Sequence, residues 1–270
     1  MVSHCLLQLL VEGGEKMIET EKAVSKPEFQ AKTDAKKEKT KGTKGFETGI
    51  AGLDDLLGGG IRWGCSLGIL SDLIDREILL HQIVENALKR GVYVYYTCIK
   101  EAPERIRLSM NEMDFNAETY EKKGQLCFYT PLETEATRRL KNSGELIKEF
   151  DKFASRLMRT VTFKVIARKQ VLLVFNSYSA IYAMMHEDPK WTDFISKDIS
   201  WLRRLVKVVS IGLADLKDQT AADAFNDFCI QMENLDGIPY LKATKVSSAD
   251  WVPYRSTPKG IEIADEFMVR

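Results

Sequence analysis

From residue 46 onward, short apolar runs alternate with segments that repeat at helical spacing. The runs at residues 65–70, 92–98, 126–129, 171–175 and 208–213 read as strands. The uninterrupted VLLVF at 171–175 has the pattern of a strand covered on both faces, as in a parallel sheet. Between the first two runs, Ile78, Leu79, Ile83, Val84, Ala87 and Leu88 fall on one stripe of a helix over 77–90, and Gly91 is placed to end it. Further helices are predicted over 103–113, 134–164, 195–206 and 221–233, and short strands over 238–246 and 260–264. Residues 48–57 read as a turn followed by one or two helical turns, closed by Gly58, Gly59 and Gly60. Strands alternating with helices predict an α/β fold: a mainly parallel twisted sheet flanked by helices, in a single domain over 46–270.

The first 45 residues read differently. Residues 18–44 are rich in Lys, Glu and Thr, with almost nothing to bury, so 1–45 is expected to be a flexible tail. Cys5 to Val11 is apolar but lacks the basic flank and cleavage site of a signal peptide. The string Glu12-Gly13-Gly14-Glu15-Lys16 before Met17 can be encoded by a purine-rich ribosome-binding sequence, so translation is expected to start at either Met1 or Met17.

Charge narrows the function classes only a little. In 270 residues the formal net charge is zero, which supplies no overall pull toward nucleic acid or a membrane surface. Local basic groups remain: the Lys36, Lys37, Lys39, Lys41, Lys44 cluster, and Arg138, Arg139, Arg203, Arg204 and Lys207. No stretch reaches the roughly 18 apolar residues that a bilayer crossing needs. Five widely spaced cysteines without a CxxC pair argue against a disulfide framework or zinc site and fit a reducing cytoplasm.

Residues 48–64 (TGIAGLDDLLGGGIRWG) carry the strongest signature in the chain. They resemble the opening signature of the KaiC-like branch of the RecA superfamily. LKRG at 88–91 resembles the end of that family's phosphate-loop helix, and VYYTCIKEAPERI at 94–106 its next strand and acidic pair. YEKKGQLCF at 120–128, VLLVFNSYSAI at 171–181, DGI at 236–238 and KGIEI at 259–263 are similar to later family segments in the same order. The resemblance implies a RecA-like P-loop NTPase fold over about residues 46–264, an archaeal source, and ATP with Mg²⁺ as the only cofactor candidate.

The family's chemistry needs a G-x-x-x-x-G-K-[ST] loop. Its glycines turn backbone N–H groups onto the phosphates, its lysine reaches the outer phosphates, and its hydroxyl holds Mg²⁺. Counting back from LKRG places that loop on Leu70-Ser71-Asp72-Leu73-Ile74-Asp75-Arg76-Glu77. Leu70 and Asp75 stand at the glycine positions, where left-handed turns would cost roughly 1–2 kcal/mol per residue. Asp72 and Asp75 would face a polyanion, and a like-charge pair at about 4 Å costs on the order of 4 kcal/mol at an effective dielectric of 20. Arg76 keeps a positive charge at the lysine position and is expected to pair with Asp72, Asp75 or Glu77 instead of a ligand.

The resemblance places Asn176 at the metal-organising aspartate and Lys100-Glu101 at a pair of glutamates. Lys100 is expected to pair with Glu101, Asp75 or Asn176. No catalytic residue and no metal ligand is assigned. His4, His81 and His186 are scattered, and the four tryptophans suit core or interface. Residues 242–251 lack the family's K-x-R element, which leaves a trans-acting finger without a candidate.

These losses point to a pseudo-ATPase acting as a scaffold or regulatory binding subunit, through self-association or a KaiC/RadA-like relative. A DNA-associated recombinase paralogue and an ATPase with an unorthodox phosphate site, using Arg76 and Lys100, stand as alternatives.

Overall fold

The structure, a computed structural model, describes residues 45–131, 143–187, 190–205, 207–244 and 250–263. Nine strands form one sheet among these residues: β1 (Ser66–Leu70), β2 (Tyr93–Thr97), β3 (Leu126–Tyr129), β4 (Val171–Phe175), β5 (Val208–Ala214), β6 (Phe228–Leu235), β7 (Ile238–Thr244), β8 (Val252–Thr257) and β9 (Gly260–Ile263). Their spatial order is β3-β2-β4-β5-β1-β6-β7-β8-β9. The first six in that order are parallel, and β7 to β9 extend the sheet antiparallel. Every residue of β1 and β5 is buried, as a strand covered on both faces requires.

The helices are α1 (Ala51–Leu56), α2 (Asp75–Lys89), α3 (Pro103–Glu112), α4 (Ala117–Lys122), α5 (Ser143–Ile166), α6 (Tyr178–Glu187), α7 (Lys190–Leu202) and α8 (Gln219–Phe225). One face of the sheet packs under α2, whose Leu79, Leu80, Ile83, Val84, Ala87 and Leu88 join Leu172, Val174, Val209 and Ile211 in the larger core. The other face packs under α5, where Phe150, Phe153, Leu157 and Val161 meet Tyr95, Val171, Leu173 and Val208. No described helix is long and apolar enough to cross a membrane.

The two ends of the described chain meet on α2. Gln82 Oε1 accepts from the Ile261 amide at 2.7 Å, and its Nε2 donates to the Ile261 carbonyl at 3.3 Å. On α1, a side chain at Gly52 would lie 2.9 Å from Ile263. The first helices are thus covered by the last strand.

Several sequence expectations need correction. The helix expected over 221–233 stops at Phe225, and Phe228–Leu235 is β6, the parallel neighbour of β1. Phe228, Ile230 and Met232 face the larger core while Cys229 faces a smaller cluster with Leu70 and Tyr182, a period of two that a helix cannot produce. The helix expected over 195–206 runs instead from Lys190 to Leu202, and Val206 lies outside the described residues. The helix expected from 134 is described from Ser143, and residues 132–142, with Arg138 and Arg139, lie outside the description. Strand β8 and helices α4 and α6 had no counterpart in the pattern.

Candidate functional site

In an open parallel sheet, ligands are held beyond the carboxyl ends of the strands, where the strand order switches. Here that edge gathers the loop after β1, the first turn of α2, and the residues just past β2, β4 and β5. All the residues marked out by the sequence are on it: Leu70 closes β1, Ser71 to Glu77 form the loop and helix start, Lys100 and Glu101 follow β2, and Asn176 follows β4.

The loop makes no left-handed turn. None of residues 70–77 has a positive φ, and Ile74 sits at φ −63°, ψ −26° and is 67% exposed. Without glycines the chain takes the shortest right-handed route from strand to helix, and the strain expected at Leu70 and Asp75 is avoided. Its amides then turn onto the chain itself. Ser71 N–H donates to the Ala214 carbonyl at 3.0 Å, Leu73 N–H to Ser71 Oγ at 3.0 Å, and Glu77 N–H to the Ile74 carbonyl at 2.9 Å. Ser71 Oγ itself donates to the Met232 carbonyl at 2.9 Å, locking the loop to β6.

Arg76 does not pair with Asp72, Asp75 or Glu77. Its guanidinium folds back over the loop, donating to the carbonyls of Ser71 and Ala214 and to Asp215 Oδ1, the last at 2.8 Å. Asp72 instead accepts the Leu216 amide at 3.2 Å, and Asp75 accepts the Tyr254 hydroxyl at 2.9 Å. Partial burial works to raise the Asp215 pKa, but the Arg76 hydrogen bond and charge, helped by Lys100 and Lys217, hold it below its usual value. The sequence reading missed Asp215. Its one signal is position, an acid immediately after a fully buried strand beside β1.

Asn176 is turned away from any metal role: its Oδ1 accepts the amides of Ile99 at 2.7 Å and Lys100 at 3.3 Å. Lys100 therefore meets Asn176 through its backbone, while Glu101 pairs with Arg105 at 3.6 Å. Asn176 Nδ2 and Thr97 Oγ1 are buried with no hydrogen-bond partner among the described residues. Glu77, at the hydroxyl position, has its carboxyl pKa raised by partial burial and by the neighbouring Glu101 charge. Behind it, His81 is buried between the Tyr96 hydroxyl at 3.3 Å and Ser109 Oγ at 3.5 Å. Burial lowers its pKa to about 4.

This set does not fit a triphosphate with Mg²⁺. A phosphate needs inward amides and an available cation, and Mg²⁺ needs oxygen ligands in octahedral array. Here four loop and helix-start amides, including that of Arg76, donate to the chain's own oxygens, the one loop cation is bonded to three of them, and the metal position holds an amide.

No family model and no curated protein matches the chain. Among solved structures, a KaiC-like protein from the hyperthermophilic archaeon Pyrococcus horikoshii has a TM-score of 0.63 and 19% sequence identity, covering 81% of this chain and 97% of that one. The mostly parallel nine-stranded sheet with flanking helices is therefore an α/β architecture with a KaiC-like, RecA-type fold.

Proposed function

We propose that the chain is a non-hydrolysing KaiC-like protein that serves as a scaffold or regulatory binding subunit, its residues 70–77, 100–101 and 176 being a vestigial nucleotide site. The observation that carries this reading is the Arg76 guanidinium bonded to Ser71, Ala214 and Asp215. The Asp215 carboxylate offsets the Arg76 charge and two carbonyls hold its Nη1, which weakens its pull on a polyanion, and four loop and helix-start amides that would assist it are engaged as well. The partner is a second copy of the chain or a relative of the same fold. Neither reading draws on net charge, which is zero.

Titration with a fluorescent ATP analogue, with and without Mg²⁺, tests the first half. No saturable binding is expected. Micromolar affinity abolished by Arg76→Ala would instead establish an unorthodox phosphate site. Size-exclusion chromatography with light scattering tests self-association, and a monomer that also fails to bind a purified KaiC-like relative would remove the scaffold role.

A further inference from the structure

The face of the sheet opposite α2 holds a cavity of about 90 Å³, partly open to solvent and lined from α5, α6, α7 and the strands beneath them. Its longest wall is a run of rings. Phe175 stacks on Tyr178 with centroids 5.4 Å apart, Tyr178 lies 5.9 Å from Tyr182, and Tyr182 stacks on Phe225 at 6.0 Å. Across from it stand Phe150 and Phe153 of α5, edge to face at 5.9 Å. The run depends on one residue of β5: a side chain at Gly212 would fall 2.1 Å from the Tyr178 ring, so only glycine lets that ring lie against the sheet.

The polar groups at the cavity's edge are engaged. Asp227 accepts from the Ser66 amide at 2.9 Å, from the Ser66 hydroxyl at 3.1 Å, and from Arg203 at 3.2 Å near the surface. Among the described residues that line it, the charged side chains are Arg203 and Asp227, which pair with each other, so a charged guest would lose its hydration with little compensation. Protein interiors normally close such spaces, and an apolar one stays dry and accepts small apolar molecules. Flat ring walls favour a flat guest, because offset stacking and edge contacts add to area burial.

We infer that this cavity is a binding pocket for a small, uncharged aromatic molecule of about one ring. It lies across the sheet from α2, and none of residues 70–77 lines it.

The test is the melting temperature of the full chain titrated with benzene, phenol and, as the charged control, benzoate. Benzene and phenol are expected to raise it by a few degrees in a concentration-dependent way, as a ligand that binds only the native state must, and benzoate is not. Ala154→Leu, which fills the pocket from α5, is expected to abolish the shift, and Arg76→Ala to leave it intact. No shift up to the solubility of benzene and phenol, an equal shift with benzoate, or an unchanged shift in Ala154→Leu overturns the inference. Should that variant fail to fold, NMR line broadening of phenol by the wild-type chain, reversed by benzene, reads the same pocket; absence of broadening overturns it.

Discussion

The Arg76 guanidinium lies 2.8 Å from Asp215 Oδ1, joining the helix that begins the fold's first crossover to the end of the strand beside it. These residues are 139 apart in sequence. Both are mostly shielded, with side-chain exposures of 16% and 24%, so the contact is not screened as a surface pair would be.

Asp215→Asn should therefore destabilise the chain by about 1–3 kcal/mol, the usual loss for a charge-assisted hydrogen bond whose partner remains partly buried. The urea midpoint should fall with an unchanged slope. Because Arg76 keeps its two carbonyl acceptors, ATP binding should not appear. If Asp215→Asn gained nucleotide affinity, the acid would be a lock and not a replacement.

Tyr254→Phe should cost about 1 kcal/mol through loss of its hydrogen bond to Asp75. Hydrogen exchange should speed up in the first turn of α2 as well as in β8. An effect confined to β8 would show that the contact does not hold the helix start.

Gly212→Ala should destabilise by about 1–3 kcal/mol, the cost of forcing volume into a packed interior. Combined with Tyr178→Leu, which removes the ring the new methyl would strike, the loss should be less than the sum of the two single losses. Strict additivity in the double-mutant cycle would mean that the two residues do not meet.

His81 gives a pH dependence with a definite sign. Its pKa falls from 6.5 to about 4 on folding, so below pH 6.5 the unfolded chain binds a proton that the native state refuses. Stability is full above pH 6.5 and declines as pH drops toward 4, by about 3 kcal/mol for a shift of this size. Glu77 acts in the opposite sense, since its raised pKa favours protonation in the fold. The comparison that isolates the histidine is His81→Gln against wild type in urea melts from pH 7 to 4. The two curves should converge as pH falls.

Much of the fold was legible because the parallel strands are buried on both sides. VLLVF in β4 and the apolar run of β5 have no amphipathic period to confuse with a helix. Strand β6 was misread because FCIQMENL has both strand and helix spacing, and only its place beside β1 decides between them. Counting residues and the family resemblance marked out Ser71, Arg76, Lys100 and Asn176, and the structure brings them to one sheet edge, but their partners were not legible. Arg76 is surrounded in sequence by acids, yet Asp72 and Asp75 are drawn off by the Leu216 amide and the Tyr254 hydroxyl. That competition is a property of the assembled sheet edge.

The clasp of Gln82 on Ile261 has a bearing on biosynthesis. A ribosome delivers α1 and α2 first, yet their apolar surface is not fully sheltered until residue 261 has emerged. While residues 90–260 are being made the nascent chain must carry an uncovered flank, and it should become protease-resistant only after residue 261 has emerged. A transcript cut short before codon 260 would yield a product prone to clump, not a smaller working protein.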